Sequence, residues 1–269
     1  MLSRHAEGVF WLGRYVERAG DISRMLDVAY HAELERPSGP AGAAWRDLLR
    51  VLYLERRFAK PYGDEVTRGN INRFLVFDLD NPSSVARSAR EARTNVMSVR
   101  DVVPSELLEA VNMLYAHLAS HSLERHIESP HEIYESVSGL CRRISGAIDE
   151  SMSRNDEYRF LTVGRLLERA EMICRMIDVN RSHDDTATWM SVLRSVSGFH
   201  AFIRGHGPLA PASDVVAFLL LEPSFPFSVL HCLKNAGAQA AEVSGSGTWK
   251  SPPALAGSPL NSNIPTIHP

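Results

Sequence analysis

Cysteine is scarce in this 269-residue chain: Cys141, Cys174 and Cys232 lie far apart and form no Cys-x-x-Cys pair. A disulfide framework and a thiolate zinc site are therefore not expected, and a reducing, cytoplasmic location fits. Long hydrophobic runs are missing too. The longest, Val215 to Leu221, is far too short to span a bilayer. The N-terminus carries Arg4, His5 and Glu7 with no apolar h-region, so no signal peptide is expected. A formal net charge of −3 argues against nucleic acid or an anionic membrane as the main partner. No Gly-rich phosphate loop, Gly-x-Ser-x-Gly elbow or Cys/His nucleophile pattern is present. These absences leave no reaction to name, no catalytic residue and no cofactor to assign.

What the sequence has is helical periodicity, with no convincing strand-type alternation. The pattern predicts an all-α helical bundle. The first helix should run from Ser3 to Glu35, stopped by Pro37-Ser38-Gly39-Pro40. Helices follow at about Ala43–Phe58 and Glu65–Phe77. Asp80-Asn81-Pro82-Ser83-Ser84 is a turn whose proline and serines suit a helix start. That helix should reach Val102. The next three cover Ser105 to His121, Pro130 to Met152 and Glu157 to Asn180, and shorter helices follow at about 187–204, 212–221 and 226–242.

The most informative feature is a repeat. Residues 12–28 and 163–179 align without a gap at a constant offset of 151, and ten of seventeen positions are identical. Average usage would give about one match by chance. The shared residues include Gly13-Arg14, Glu17-Arg18-Ala19 and Arg24 in one copy, and Gly164-Arg165, Glu168-Arg169-Ala170 and Arg175 in the other. Two pseudo-symmetric halves, each with a Gly-Arg-x-x-Glu-Arg helix, are the expected architecture.

On a helical wheel the apolar residues of each copy fill one arc and the charged residues another. The apolar arcs share class, whereas the charged arcs share identity. A face needed only for solubility has no reason to keep Gly-Arg-x-x-Glu-Arg twice. Arg14/Arg18 and Glu17/Asp21 are also like-charge pairs at i,i+4, so better partners must lie elsewhere. The expected solution brings the two helices together, Glu17 meeting Arg165 or Arg169 and Glu168 meeting Arg14 or Arg18. Gly13 and Gly164 would permit the close backbone approach. Such a cluster can be a structural network of bidentate pairs, or its guanidinium excess can hold a phosphate or carboxylate, with Glu17 or Glu168 as acid/base.

Weaker signals are His117 and His121 at i,i+4 with Glu124 beyond, a Glu128-x-x-His131 spacing, and His183-Asp184-Asp185, which reads as a loop or helix cap. None is strong enough to assign a metal. The isolated cysteines read as core residues. From Gly245 to Pro269 there are five prolines, three glycines, four serines and no acidic residue. That composition cannot offset its ordering entropy by burial, so a disordered tail (245–269) after one helical domain (1–244) is expected.

Met1-Leu2-Ser3-Arg4-x-Ala6-Glu7 followed by Trp11-Leu12-Gly13-Arg14-Tyr15-x-Glu17-Arg18-Ala19 resembles the opening of the bacterial alpha-E domain proteins. Phe74-Leu75-Val76-Phe77-Asp78, Asn81-Pro82-Ser83-Ser84-Val85, the Ala89–Arg100 stretch, Leu166-Leu167-Glu168-Arg169-Ala170, and Phe218-Leu219-Leu220 with Phe225-Pro226 match as well, over roughly residues 1–240. The resemblance implies an all-helical protein of undetermined biochemistry. Its members tend to be encoded beside a circularly permuted ATP-grasp protein, often with a transglutaminase-like protein nearby. It therefore implies a partner or accessory of a peptide- or amide-forming ATP-grasp system, and it carries over no catalytic residue. The chain departs from the pattern at Gly20, where a second glutamate usually follows Glu-Arg-Ala. It departs also at Phe227, in place of an arginine, and at Leu107-Leu108, where a tryptophan is common. The Pro/Ser-rich tail is expected to replace the family's last helices, which would expose an apolar face and favour oligomerisation, poor stability or a partner filling the gap.

Overall fold

Thirty-three consecutive residues without a proline form α1 (Ser3–Glu35), a rod about 50 Å long at the helical rise. In this computed structural model, which describes residues 2–35, 42–121, 130–183 and 185–243, every regular element is a helix. The expected disordered tail lies outside the described residues. After α1 come α2 (Ala43–Val51), α3 (Glu55–Tyr62) and α4 (Arg68–Asn72), which runs into a π-helical turn at Arg73–Phe77. Then follow α5 (Val85–Ser98), α6 (Ser105–Ser120), α7 (His131–Ser151) and α8 (Asp156–Asn180). Four shorter helices complete the order: α9 (Thr186–Ser195), α10 (Phe199–His206), α11 (Ala212–Leu221) and α12 (Val229–Ala241). No helix among the described residues is long and apolar enough to cross a membrane.

Helix α1 is the axis of the bundle. It packs on α8, α5 and α7, while α2 and α9 close on it as well. Helix α6 lies against both α5 and α7, and α12 packs on α8. Val9, Leu12, Val16, Ala19, Ile22 and Leu26 of α1 are almost wholly removed from water. Burying such side chains contributes about 1.5–3 kcal/mol each. The opposite arc of α1 is not solvated either: Glu17 and Asp21 are buried too, because α8 lies on that side.

Two of the expected helices are broken, both by a residue in the left-handed region. The stretch expected as one helix from Ala43 to Phe58 splits at Leu52-Tyr53-Leu54, where Tyr53 has φ 54°. The stretch 187–204 splits at Val196-Ser197-Gly198, where Ser197 has φ 56°. Neither residue type advertises that conformation, so periodicity alone runs the helices together. The Glu65–Phe77 helix proves to be α4 plus the π turn, and α5 stops at Ser98 rather than Val102.

The helix starts follow cap chemistry. Ser84, Asn155, Asp185 and Ser228 each accept a backbone N–H three residues on, opening α5, α8, α9 and α12. The Ser84 and Ser228 caps share a further detail. Each hydroxyl also donates to a carbonyl six residues earlier, that of Asp78 or Glu222, at 2.5 Å. The segments leading into them, Phe74-Leu75 to Pro82-x-Ser84-Val85 and Phe218-Leu219 to Pro226-x-Ser228-Val229, match at an offset of 144. Each then launches a helix onto one motif helix, α5 onto α1 and α12 onto α8. This second correspondence escapes a search that follows charged residues alone.

Candidate functional site

The two motif helices touch through their glycines. A Cβ at Gly13 would fall on the backbone carbonyl oxygen of Leu161, and one at Gly164 on that of Phe10. Without side chains there, α1 and α8 approach closely enough for the next residues of each motif to reach across.

Glu168 sits between the two arginines of α1. Its Oε2 accepts from Arg14 Nε at 2.6 Å, while Arg18 spans both oxygens, Nε to Oε1 at 2.6 Å and Nη2 to Oε2 at 2.9 Å. Glu17 sits reciprocally between the arginines of α8. Arg169 Nε donates to Glu17 Oε1 at 2.8 Å, and Arg165 Nε lies 3.8 Å from Oε2. Arg14, Arg18 and Arg169 thus hydrogen-bond across the interface, whereas Arg165 makes an ion pair whose Nε has no hydrogen-bond partner. Charge-assisted pairs of this kind are the stronger hydrogen bonds of a protein, and here they sit away from water: Glu17 is 7% exposed and Glu168 3%.

Arg24 and Arg175 stand nearly two turns further along and pair with acids of their own helices. Arg24 pairs with Asp21 and donates to the Ser195 carbonyl at 3.3 Å, and Arg175 pairs with Glu171. Glu171 also accepts from Arg14 at 2.5 Å, joining the ends of the network. Six guanidinium groups thus share four carboxyls.

Several members were not expected from the repeat. Glu171 is the counterpart of Gly20 and Asp21 the counterpart of Met172, so the additional acid is one position apart in the two copies. Gly20 faces Cys141 and Arg24, each 3.3 Å from where an added methyl would lie, so a side chain there would have to shift them. Phe227 lies under Arg169 at 3.9 Å and Arg24 at 5.3 Å from its ring centre, a cation–π contact to two guanidinium groups. The departure at Phe227 thus lies inside the cluster.

Burial pushes the Glu17 carboxyl toward its neutral form, but Arg169, Arg165 and Arg24 together outweigh it and hold the pKa at about 2. The arginines thus hold Glu17 as the anion in this arrangement. Asp21 goes the other way: burial, with Glu17 and Glu168 adding to it against the pull of Arg24 and Arg169, raises it to about 7. One of its oxygens, Oδ2, has no hydrogen-bond partner. Burial also pushes the Cys141 thiol up to about 12 and that of Cys232 to about 11, so neither is an activated nucleophile.

The weaker sequence signals fall elsewhere. His117 Nε2 lies 2.7 Å from Ser136 Oγ, and His121 Nδ1 2.5 Å from the His117 carbonyl. Their expected companion Glu124 lies outside the described residues, as do Glu128 and Asp184. Asp185 is the cap of α9, as the cap reading expects. His131, the first residue of α7, meets Asp27 and His31 of α1, a grouping whose sequence trace is the i,i+4 pair Asp27/His31. A cavity of about 770 Å³ opens along the C-terminal half of α1, lined by Met25, Glu33, Trp45, Arg68, Asn180 and Ser195 among others. None of the eight motif residues lines it.

An all-helical protein built around two helices clamped by reciprocal Glu–Arg pairs is the class that fold and site define. The chain belongs to the Alpha-E family, described as a predicted alpha-helical domain with a conserved ER motif, whose model matches residues 1–264. The Glu-Arg dipeptide stands at the centre of the clamp twice, as Glu17-Arg18 and Glu168-Arg169. No curated protein and no solved structure matches the chain.

Proposed function

We propose that this protein is a non-catalytic helical partner of an ATP-grasp peptide or amide ligase, acting alone or with a transglutaminase-like protein. In this reading the Arg/Glu cluster is an internal clamp between two halves related by a pseudo-twofold axis. The observation that carries it is that Glu17 and Glu168, the centre of the repeated motif, are shielded from a phosphate-sized ligand and already hold two guanidinium groups each. A buried network of this type favours a unique arrangement of helices more than stability. The ligase itself rests on the alpha-E resemblance. The test is an affinity pull-down from the native host read by mass spectrometry, with wild type beside a Glu17→Gln/Glu168→Gln variant checked for folding. Recovery of an ATP-grasp protein supports the partnership. Its absence from every wild-type sample removes it.

A second reading, anion binding or catalysis at the cluster, draws on the excess of six guanidinium groups over four carboxyls. Titration of the protein with inorganic phosphate separates the two. Binding that is lost in Arg18→Ala and Arg169→Ala favours this second reading, and no binding favours the clamp.

A further inference from the structure

Away from the clamp, three side chains with metal-ligating atoms converge. Asp27 and His31 are one turn apart on α1, and His131 opens α7 beside them. One oxygen, Asp27 Oδ1, lies 2.5 Å from His131 Nδ1 and 3.6 Å from His31 Nδ1. One donor atom from each residue falls within 4.8 Å of the others. Around a single ion with bonds of about 2.0–2.1 Å, donors stand roughly 3 Å apart, so shifts of about an ångström bring all three onto one centre.

We propose that Asp27, His31 and His131 form a binding site for a divalent transition metal, with Zn²⁺ the ion best suited. Two imidazoles and one carboxylate are a borderline donor set that suits zinc, cobalt or nickel rather than magnesium or calcium, which prefer all-oxygen shells. Three protein ligands leave room for water at a fourth position. Access is available: the side chains of Asp27, His131 and His31 are 31%, 41% and 50% exposed.

Two histidines from different helices flank the one carboxylate. His131 contacts Asp27 Oδ1 directly, while the His31 ring stands beside it with Nδ1 3.6 Å from the same oxygen, the two rings 5.1 Å apart and edge to face. Glu135, one turn along α7, lies 3.6 Å from the far nitrogen of His131. In the structure the Asp27 contact places a proton on Nδ1, which a metal would displace, and Glu135 is placed to accept from Nε2–H once it does. Tyr30 lies nearly parallel to the His131 ring, at 15° and 6.5 Å. His31 Nδ1 is 2.8 Å from the Asp27 carbonyl, a contact the metal would replace. The bound ion would pin the C-terminal third of α1 to the start of α7.

Zinc binding to the full chain, measured by competition with a chromophoric chelator, tests this. One equivalent bound per chain is expected, weakened about tenfold or more in each of His31→Ala, His131→Ala and Asp27→Asn. His200→Ala, an exposed histidine on α10, should leave it unchanged. Mg²⁺ should not compete. Zinc-edge X-ray absorption of the wild-type protein should show two imidazoles and decides the matter even if a variant fails to fold. No bound equivalent, an edge spectrum without paired imidazoles, or binding unchanged in folded ligand variants would each overturn the assignment.

Discussion

Arg18 and Glu168, 150 residues apart in the chain, are joined at two points, Nε to Oε1 at 2.6 Å and Nη2 to Oε2 at 2.9 Å. Deleting one member of such a buried pair strands the other. Glu168→Ala leaves Arg14 and Arg18, and Glu17→Ala leaves Arg165 and Arg169, without their central carboxylate. Each is expected to destabilise the protein by roughly 3–5 kcal/mol. Since both carboxylates serve one interface, the double variant should lose less than the sum of the singles. Urea unfolding monitored by circular dichroism measures this, and strict additivity would show that the two ends of the clamp are independent.

The glycine contact gives a sharper geometric test. In Gly13→Ala or Gly164→Ala the new methyl meets a rigid carbonyl of the facing helix, so the helices must separate. Losses of about 3 kcal/mol or more are expected. Gly146→Ala, in α7 with nothing within 4 Å of the added methyl, should instead gain about 0.5–1 kcal/mol. Thermal melts of the three variants decide it, and similar behaviour at all three positions would refute the close approach.

The two buried acids of α1 give opposite pH dependences. Glu17, held at about 2, contributes stability that is present above its unfolded pKa near 4.5 and is lost as the pH falls toward 2. Asp21, raised to about 7, keeps a proton in the folded state that the unfolded chain releases from about 3.8 upward, so its effect lowers stability as the pH rises from about 3.8 to 7. Asp21→Asn should therefore flatten the decline between about pH 4 and pH 7 by a few kcal/mol. Unfolding free energies across that range for wild type and variant measure it. An unchanged slope would mean that Asp21 is ionised throughout.

At the break between α9 and α10, Ser197 is exposed with φ 56°. Ser197→Gly removes the left-handed penalty without deleting a core contact and should raise stability by about 1 kcal/mol. Neighbouring Gly198 cannot be exchanged as freely, because a Cβ there would lie 2.8 Å from the Phe225 ring. A lower melting temperature for Ser197→Gly would contradict this account of the break.

Sequence by itself determined the helical class and the run of α1, and it pointed to a pairing of Glu17 with α8 and of Glu168 with α1. Those follow from local physics and from one economy: a buried carboxylate needs a guanidinium, and a motif copied at identical spacing supplies it on the facing helix. It also marked Gly13 and Gly164, because only glycine lets two such backbones meet. What it left undecided needed the third dimension. Tyr53 and Ser197 break helices through backbone angles that their residue types do not signal. The opposite shifts of Glu17 and Asp21, four residues apart, depend on which arginines stand beside each carboxyl. The meeting of Asp27 and His31 with His131, a hundred residues later, depends on where α7 begins against α1. Tertiary packing decided these because each is set by distances between elements, which no spacing along the chain encodes.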